Sequence, residues 1–410
     1  MILAATTRLA EALLRGYTLF GGAPWLRARL MQDRLPAPAD IWIHAASVGE
    51  VNSAATLITG LARDHSLLVT TNSETGRDRA LTLGRPAMLA PLDVPGATGR
   101  FLDALRPRLA VTVEAELWPT RAALLAQCGI PHVVVGARMS ARSADRWARL
   151  PGVIGPVLRG ISALSAQDKG SEARLLQLGL RRDALMPRLD LKLLGPSQVV
   201  PAAPSTARDR TLLAASTHAG EDQLVLDAWS AARVTQPDLR LILAPRHPDR
   251  ADAIAQDITA RGLAFAQRSQ GADQSGNDAP PVLLADTLGE MALWYDRSGI
   301  CLTGGSLADH GGHTPWEPAA HGCAILHGPN VSNFTDAYAA LDAAGAARRI
   351  DAAGLADAIT QLAIDPAAAR ALGAAGRALL TQRAGDPAPL LALLGKLAKR
   401  APNADIINES

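Results

Sequence analysis

The stretch IWIHAASVGE (41–50) decides the reading of the fold: an apolar β-type run ends in small residues and a glycine, and a helix then begins at a carboxylate. A glycine there lets the chain turn tightly, which puts Glu50 in the first turn of the helix at the carboxyl end of the strand. Outward from this unit, short β-type runs alternate with helical stretches, the pattern of parallel sheets built from βαβ units. The first half offers strands at 41–46, 67–71, 88–92, 109–115, 132–137 and 161–167, and the second at 211–216, 239–245, 263–267, 281–286, 299–305 and 323–328.

A chain of 410 residues exceeds what one hydrophobic core usually supports. GPSQVVPAAPSTARD (195–209), rich in Pro, Ala and Ser and without helical period, reads as the break. The expected organisation is an α/β chain with an N-terminal helix over 1–36, a Rossmann-like domain over 37–195, a linker over 196–209, a second Rossmann-like domain over 210–400 and a disordered tail over 401–410. An internal echo supports the division: strand, AAS, then Gly49-Glu50 in one half, and strand, AAS, then Gly220-Glu221 in the other. Two such domains facing a central cleft would hold both turns at the carboxyl ends of their sheets, where open α/β folds bind ligands. QGADQSGNDAPP (270–281) reads as a flexible surface loop.

The composition, 48% apolar and 20% charged, is that of an ordinary α/β protein. A formal charge of +2, with no long Lys/Arg run interleaved with aromatics, argues against a nucleic-acid partner. Cys128, Cys301 and Cys323 are odd in number and lie in or beside apolar runs, so buried thiols in a reducing compartment are expected. No run of 18 apolar residues predicts an ordinary membrane span. Over residues 1–30, however, Leu9, Leu13, Tyr17 and Phe20 recur at helical spacing among Arg8, Arg15, Arg27 and Arg29. That pattern suits an interfacial amphipathic helix, or a helix packed on its own domain. Glu11 and Arg15 interrupt the apolar region a signal peptide needs.

Several segments carry candidate chemistry. Glu50 is either a base or a partner of the helix dipole, and Ala45 in place of the first Gly rules out a G-x-S-x-G nucleophile elbow at Ser47. VEAELWP (113–119) puts Glu114 and Glu116 at the end of an apolar strand, where period 2 sends both side chains to the same side and suits them to acid/base work, helix capping or a cation. LILAPRHP (241–248) ends a strand on Arg246, fitted to an anionic substrate or to a neighbouring acid. DTLGEM (286–291) offers a glycine turn before a helix, an anion-binding geometry. In 302–329, Gly304, Gly305, Gly311 and Gly312 permit close approach to a phosphate, and Glu317 suits ribose hydroxyls. His310 and His313 have no convincing third ligand, so no metal is expected.

Taken in order, HAASVGE, LLVTTNSETG (67–76), LDVP (92–95), VEAELWP, GARMSARS (136–143), SAQD (165–168), AASTHAGE (214–221), LAPRHP, DTLGE, TGGS, GGHTPWEPAA and GPNVSNF resemble the 3-deoxy-D-manno-octulosonic acid (Kdo) transferases over most of the chain. The resemblance implies the GT-B architecture and a CMP-Kdo donor, and no cofactor is expected. It also implies transfer to the 6′-hydroxyl of the tetra-acylated lipid A precursor at the cytoplasmic face of the inner membrane. By the same likeness, Glu50 matches the family's base and Glu114 a transition-state stabiliser. CMP contacts carry over to Pro245 and Arg246, to Gly289, Glu290 and Met291, and to Thr314, Pro315, Trp316 and Glu317. The chain departs from the pattern at Thr314, where relatives have Asn. It departs again at LDLK (189–192), where the family's LKFD has a stabilising Lys in the place of Asp190. Lys192 is carried over for that cation, on the face a period-2 strand would keep. The rival readings are another two-domain nucleotide-sugar enzyme, such as an epimerase, and a sugar-nucleotide or precursor binding protein without catalysis.

Overall fold

The computed structural model describes residues 2–19, 24–114, 116–272 and 279–399. Phe20, residues 273–278 of the expected 270–281 loop and the expected tail over 401–410 lie outside them. The chain forms two units, residues 1–195 with 384–410 and residues 196–383.

The first unit is built on six parallel strands: β1 (Ile41–His44), β2 (Leu67–Thr71), β3 (Ala87–Leu89), β4 (Leu109–Val113), β5 (His132–Ala137) and β6 (Ala163–Ala166). Their order is β3-β2-β1-β4-β5-β6, the doubly wound Rossmann arrangement. Strands buried on both faces have no polar side to alternate with, which is why the apolar runs of the sequence mark them so well. Trp42 and Phe101 anchor one face, with ring centroids 4.6 Å apart.

The second unit has seven parallel strands: β7 (Thr211–Thr217), β8 (Arg240–Pro245), β9 (Phe265–Gln267), β10 (Val282–Leu284), β11 (Ile300–Thr303), β12 (Ala324–His327) and β13 (Arg348–Arg349), in the order β13-β12-β11-β7-β8-β10-β9. Period-2 alternation divides its core. Leu212, Ala214, Leu241, Leu243, Leu284 and Leu302 pack on one face, and Leu213, Ala215, Ile242, Ala244, Leu283 and Cys301 on the other. β13 is a pair of arginines with no apolar run to announce it.

Four expectations are corrected. Residues 384–398 join the first unit instead of closing the second: Leu390, Leu394 and Leu397 are buried, and Leu391 packs over Gly60 on the helix Val48–Leu61. The 196–209 segment is not all linker, since Thr206–Asp209 is helical and the buried Arg208 donates to the His321 carbonyl. Leu191–Ser197 is a helix, with Asp190 Oδ1 accepting from Lys192 N at 3.1 Å, so no strand carries Lys192. Cys128 caps a helix at the surface, while Cys301 and Cys323 are buried.

Candidate active sites of the two units

In each sheet the chain reverses direction of winding beside its first strand, at β1/β4 in the first unit and β7/β11 in the second. The loops leaving such a switch point diverge and leave a crevice at the carboxyl edge of the sheet. Glu50 follows β1, and Glu114 and Glu116 follow β4. Glu221 follows β7, and Gly304 and Gly305 follow β11.

In the first unit, Ser47 caps the helix Val48–Leu61 by accepting from Glu50 N. Gly49 does not make the turn, because it sits inside the first helical turn at an ordinary φ, with open space around it apart from Ser47 Oγ at 3.8 Å. Glu50 Oε2 accepts from Ala46 N at 2.7 Å. That amide favours the carboxylate, but burial, the larger influence, and the charges of Glu114 and Glu116 oppose it and raise the Glu50 pKa to about 7.

The expectation that Glu114 and Glu116 share a strand face is corrected. β4 ends at Val113, and Glu114 takes a left-handed φ of 57°, a conformation costing a non-glycine residue about 1–2 kcal/mol. The two carboxylates take different partners. Glu114 Oε1 lies 3.2 Å from Lys192 Nζ, so the cation carried over from the family motif does reach this site, from a helix. Glu116 Oε2 accepts from Trp118 Nε1 and from Asn72 Nδ2 at 3.3 Å, and His44 Nε2 is 3.7 Å away, within ion-pair reach but beyond a hydrogen bond. These contacts, with the nearby Arg121, hold Glu116 below the usual carboxylate range.

Beneath this site lies a buried layer that sequence reasoning missed. Trp42 Nε1 donates to Thr70 Oγ1 at 2.7 Å, and the same hydroxyl is 3.0 Å from His44 Nδ1. The Glu116 carboxylate facing Nε2 favours the His44 proton there, which leaves Nδ1 to accept the Thr70 hydroxyl proton. Burial and Arg121 push His44 down to about 4, so it is neutral at pH 7. Arg121, itself pushed to about 10 by burial, lies 5.0 Å over the Trp42 ring. The sequence signal was slight: a histidine inside an apolar run reads as core.

In the second unit Glu221 is buried, and its carboxylate accepts from four backbone amides: Gly305 at 2.7 Å, His218 and Leu307 at 2.9 Å and Ala308 at 3.2 Å. It moulds the loop after β11. Gly304 is required there, since a Cβ would stand 2.3 Å from the Ser216 carbonyl oxygen. Pro245 ends β8, and Arg246 beyond it is exposed, its amide donating to Thr217 O at 3.0 Å. Glu290 is bound internally: Arg268 Nη2 donates to Oε1 at 2.6 Å, and Thr287 donates to Oε2. Those contacts depress its pKa to about 2. Its side chain is thus committed to the loop, and Gly289 beside it turns at a φ of 84°. Met291 opens the helix Met291–Arg297, from which Tyr295 OH reaches Glu317 Oε2 at 3.3 Å. This contact joins the 286–291 and 314–317 segments. Thr314 Oγ1 accepts from Trp316 N at 3.3 Å, Pro315 caps the helix Trp316–Ala320, Trp316 is buried and Glu317 is exposed. Among the described residues no His/Cys/Asp/Glu group is arranged to hold a metal ion.

The family model for 3-deoxy-D-manno-octulosonic-acid transferase (kdotransferase) matches residues 24–194. The Haemophilus influenzae 3-deoxy-D-manno-octulosonic acid transferase is 35% identical over 74% of this chain and 74% of its own length. The Bordetella pertussis enzyme of the same name is 36% identical over 86% of each. This chain belongs to the Kdo transferase family. It is therefore a glycosyltransferase that transfers Kdo. A UDP-GlcNAc 2-epimerase from Neisseria meningitidis superimposes with a TM-score of 0.52 over 88% of this chain and 97% of its own, at 13% identity. That likeness concerns the fold, two parallel-sheet Rossmann-like domains of the GT-B kind. The residues expected as base, stabiliser and cation, Glu50, Glu114 and Lys192, come together in the first unit. The positions carried over for CMP follow β8, β10 and β11 of the second.

Proposed function

We propose that the enzyme takes Kdo from CMP-Kdo and attaches it, with inversion, to a hydroxyl of the lipid A precursor, with Glu50 as general base. The observation that carries this reading is the Glu50 carboxyl, half-buried beside two further carboxylates and raised to about 7. A base with a pKa near the operating pH combines ready availability as the anion with real proton affinity. Glu50 takes the hydroxyl proton as that oxygen attacks the anomeric carbon, and CMP departs. The transition state carries positive charge on the sugar, which Glu50 and Glu114 oppose with negative charge. Arg246 supplies positive charge for the departing phosphate, and Lys192 keeps Glu114 from accumulating excess charge in the resting site. Backbone groups of Gly289, Glu290 and Met291, the Thr314-Pro315-Trp316 turn and the exposed Glu317 receive the rest of the nucleotide.

The acceptor is a lipid, and the helix Ile2–Leu19 suits a membrane surface at the cytoplasmic face of the inner membrane. Its inner side is tied down, with buried Glu11 accepting from Gly96 N at 2.6 Å. Its outer side presents Leu9, Leu13 and Tyr17, each more than 60% exposed, one turn apart, with Arg8 and Arg15 exposed alongside. Among the described residues no helix is long and apolar enough to cross a membrane, so the attachment proposed is peripheral or monotopic. Replacing Leu9, Leu13 and Tyr17 together by Ser should release the folded protein from anionic liposomes. Undiminished binding would remove this helix from the reading.

Incubation with CMP-Kdo and the tetra-acylated precursor, followed by mass spectrometry, tests the reaction itself. The expected product is precursor increased by the mass of one or more Kdo residues. An altered nucleotide sugar with unchanged lipid would indicate an epimerase, and CMP affinity without any product would indicate a binding protein.

A further inference from the structure

Four histidines from three loops meet in the second unit. His218 follows β7, His247 follows β8, and His310 and His313 lie on the glycine segment after β11. The His218 and His310 rings stack with centroids 4.0 Å apart. His218 and His313 are within 8° of parallel, their Nε2 atoms 2.9 Å apart, and His247 presents an edge to His218 with centroids 6.0 Å apart. The rings are held by their main chain. Glu221 fixes the His218 amide at 2.9 Å, and His313 donates its amide to Gly304 O at 3.2 Å while its carbonyl accepts from Tyr338 OH at 2.7 Å.

Two imidazole nitrogens 2.9 Å apart attract only if one carries hydrogen and the other a lone pair. The neutral pair therefore shares one N–H between its Nε2 atoms, and one of its two Nδ1 atoms is bare. A further proton goes to that bare Nδ1, and the pair becomes a cation with an N–H donor on each outer edge. In the free protein burial, His310, His247 and, for His313, Arg246 all oppose this proton, and only Glu221 favours it. An anion set against the cluster reverses the balance, because its charge outweighs that of the neutral rings.

We propose that the His218–His313 pair, with His310 stacked on it and Arg246 alongside, seats the phosphate group of the nucleotide and takes up one proton when that phosphate binds. This rests on the nucleotide-donor reading above and deepens it: the same proton offsets the charge left on the phosphate once the sugar has gone. One linked proton makes affinity fall as pH rises, approaching tenfold per pH unit where the free pair is neutral and the liganded pair is charged.

Calorimetric titration of the full chain with CMP at pH 8, in buffers of differing ionisation enthalpy, counts the protons directly. At this pH the ligand phosphate is already dianionic. The wild type should take up close to one proton and lose affinity several-fold to tenfold between pH 7 and 8. His218→Asn and His313→Gln, each keeping one ring-nitrogen position as an amide, should bind CMP several-fold more weakly, with no proton uptake and a flat pH dependence. CMP binding by the wild type without proton uptake overturns this proposal and leaves the donor reading intact. Uptake that persists in both variants also overturns it, since the proton then goes elsewhere. Stoichiometric Zn²⁺ binding lost in both variants would make the pair a metal site and overturn it as well. Absence of CMP binding by the folded wild type overturns the donor reading and this proposal together.

Discussion

Glu50 and Glu221 occupy equivalent places, each just past the first strand of its sheet and next to the strand where the winding reverses. Their surroundings are opposite. Glu221 is saturated by four backbone amides from its own turn and from the loop after β11. Glu50 has one amide on its carboxylate, from Ala46, and meets two more carboxylates from the loop after β4. What differs is the loop contributed by the neighbouring strand. A glycine loop offers N–H groups and turns the glutamate into a brace, whereas an acidic loop offers negative charge and leaves it reactive. The same short motif thus serves structure in one unit and chemistry in the other.

The largest expected effect separates the two. Glu50→Gln should lower the transfer rate by about 10²–10⁴, the usual contribution of a general base, while leaving CMP affinity at its wild-type value. Near-normal turnover with purified protein would end the base assignment. Glu221→Gln should act on stability first. Gln presents an NH₂ group where the carboxylate accepted, leaving buried amides without an acceptor, at a cost of about 3 kcal/mol. For a unit of this size that is roughly 6–12 °C in its unfolding midpoint, accompanied by weakened CMP binding. If Glu221→Gln instead lost turnover with its midpoint unmoved, the division of roles drawn here would fail.

Stability sharpens the comparison from the other side. The Glu50 pKa is about 7 in the folded chain against an ordinary 4.5, so the folded state binds more protons between those values. Stability contributed by this group is therefore full below about pH 4.5 and is lost as pH rises through 7. Glu50→Gln does not titrate. After allowance for the solvent exposure of a half-buried group, the variant should be more stable than wild type by about 1–2 kcal/mol at pH 8, with the advantage vanishing below pH 4.5. Chemical denaturation at several pH values measures this directly, and equal stabilities at pH 8 would mean that Glu50 is not strained by its neighbours.

How much of this was legible in the sequence follows from what each feature depends on. All strands but β13 were legible, because burial on both faces leaves uninterrupted apolar runs. The switch-point placement of Glu50 was legible from strand, small residues and helix start. Lys192 was misplaced because LDLKLLG fits both periods, and only the helix start at Asp190 decides it. The left-handed turn at Glu114 has no local signal, since no glycine marks it. Glu290 reads as a ligand contact until Arg268, 22 residues earlier, is seen to occupy it. The helix Ala388–Ala398 carries an apolar stripe, but a stripe does not say which unit it covers.

Lys192 offers a finer test. Its ammonium is about half exposed and pairs with Glu114 at 3.2 Å, so Lys192→Met should change stability by less than about 1 kcal/mol. The rate should change more, and in a diagnostic way. With its counter-charge gone, Glu114 repels the Glu50 carboxylate more strongly, and the acid limb of the kcat/KM profile should move to higher pH. A variant with reduced turnover and an unmoved limb would assign Lys192 to binding the substrate instead of balancing Glu114.

The smallest effect belongs to Glu116. Asn72 and Trp118 fix its Oε2, with the neutral His44 behind, so its charge stands near Glu50 at every working pH. Glu116→Gln keeps the shape and the acceptor oxygen but removes that charge. Glu114 and burial remain, and burial is the larger influence on Glu50, so the acid limb should shift to lower pH by only a few tenths of a unit, on the order of 0.5 kcal/mol. Opposite shifts for Lys192→Met and Glu116→Gln are the signature of one electrostatic site read by a single base. Shifts of the same sign would mean that the limb reports some group other than Glu50.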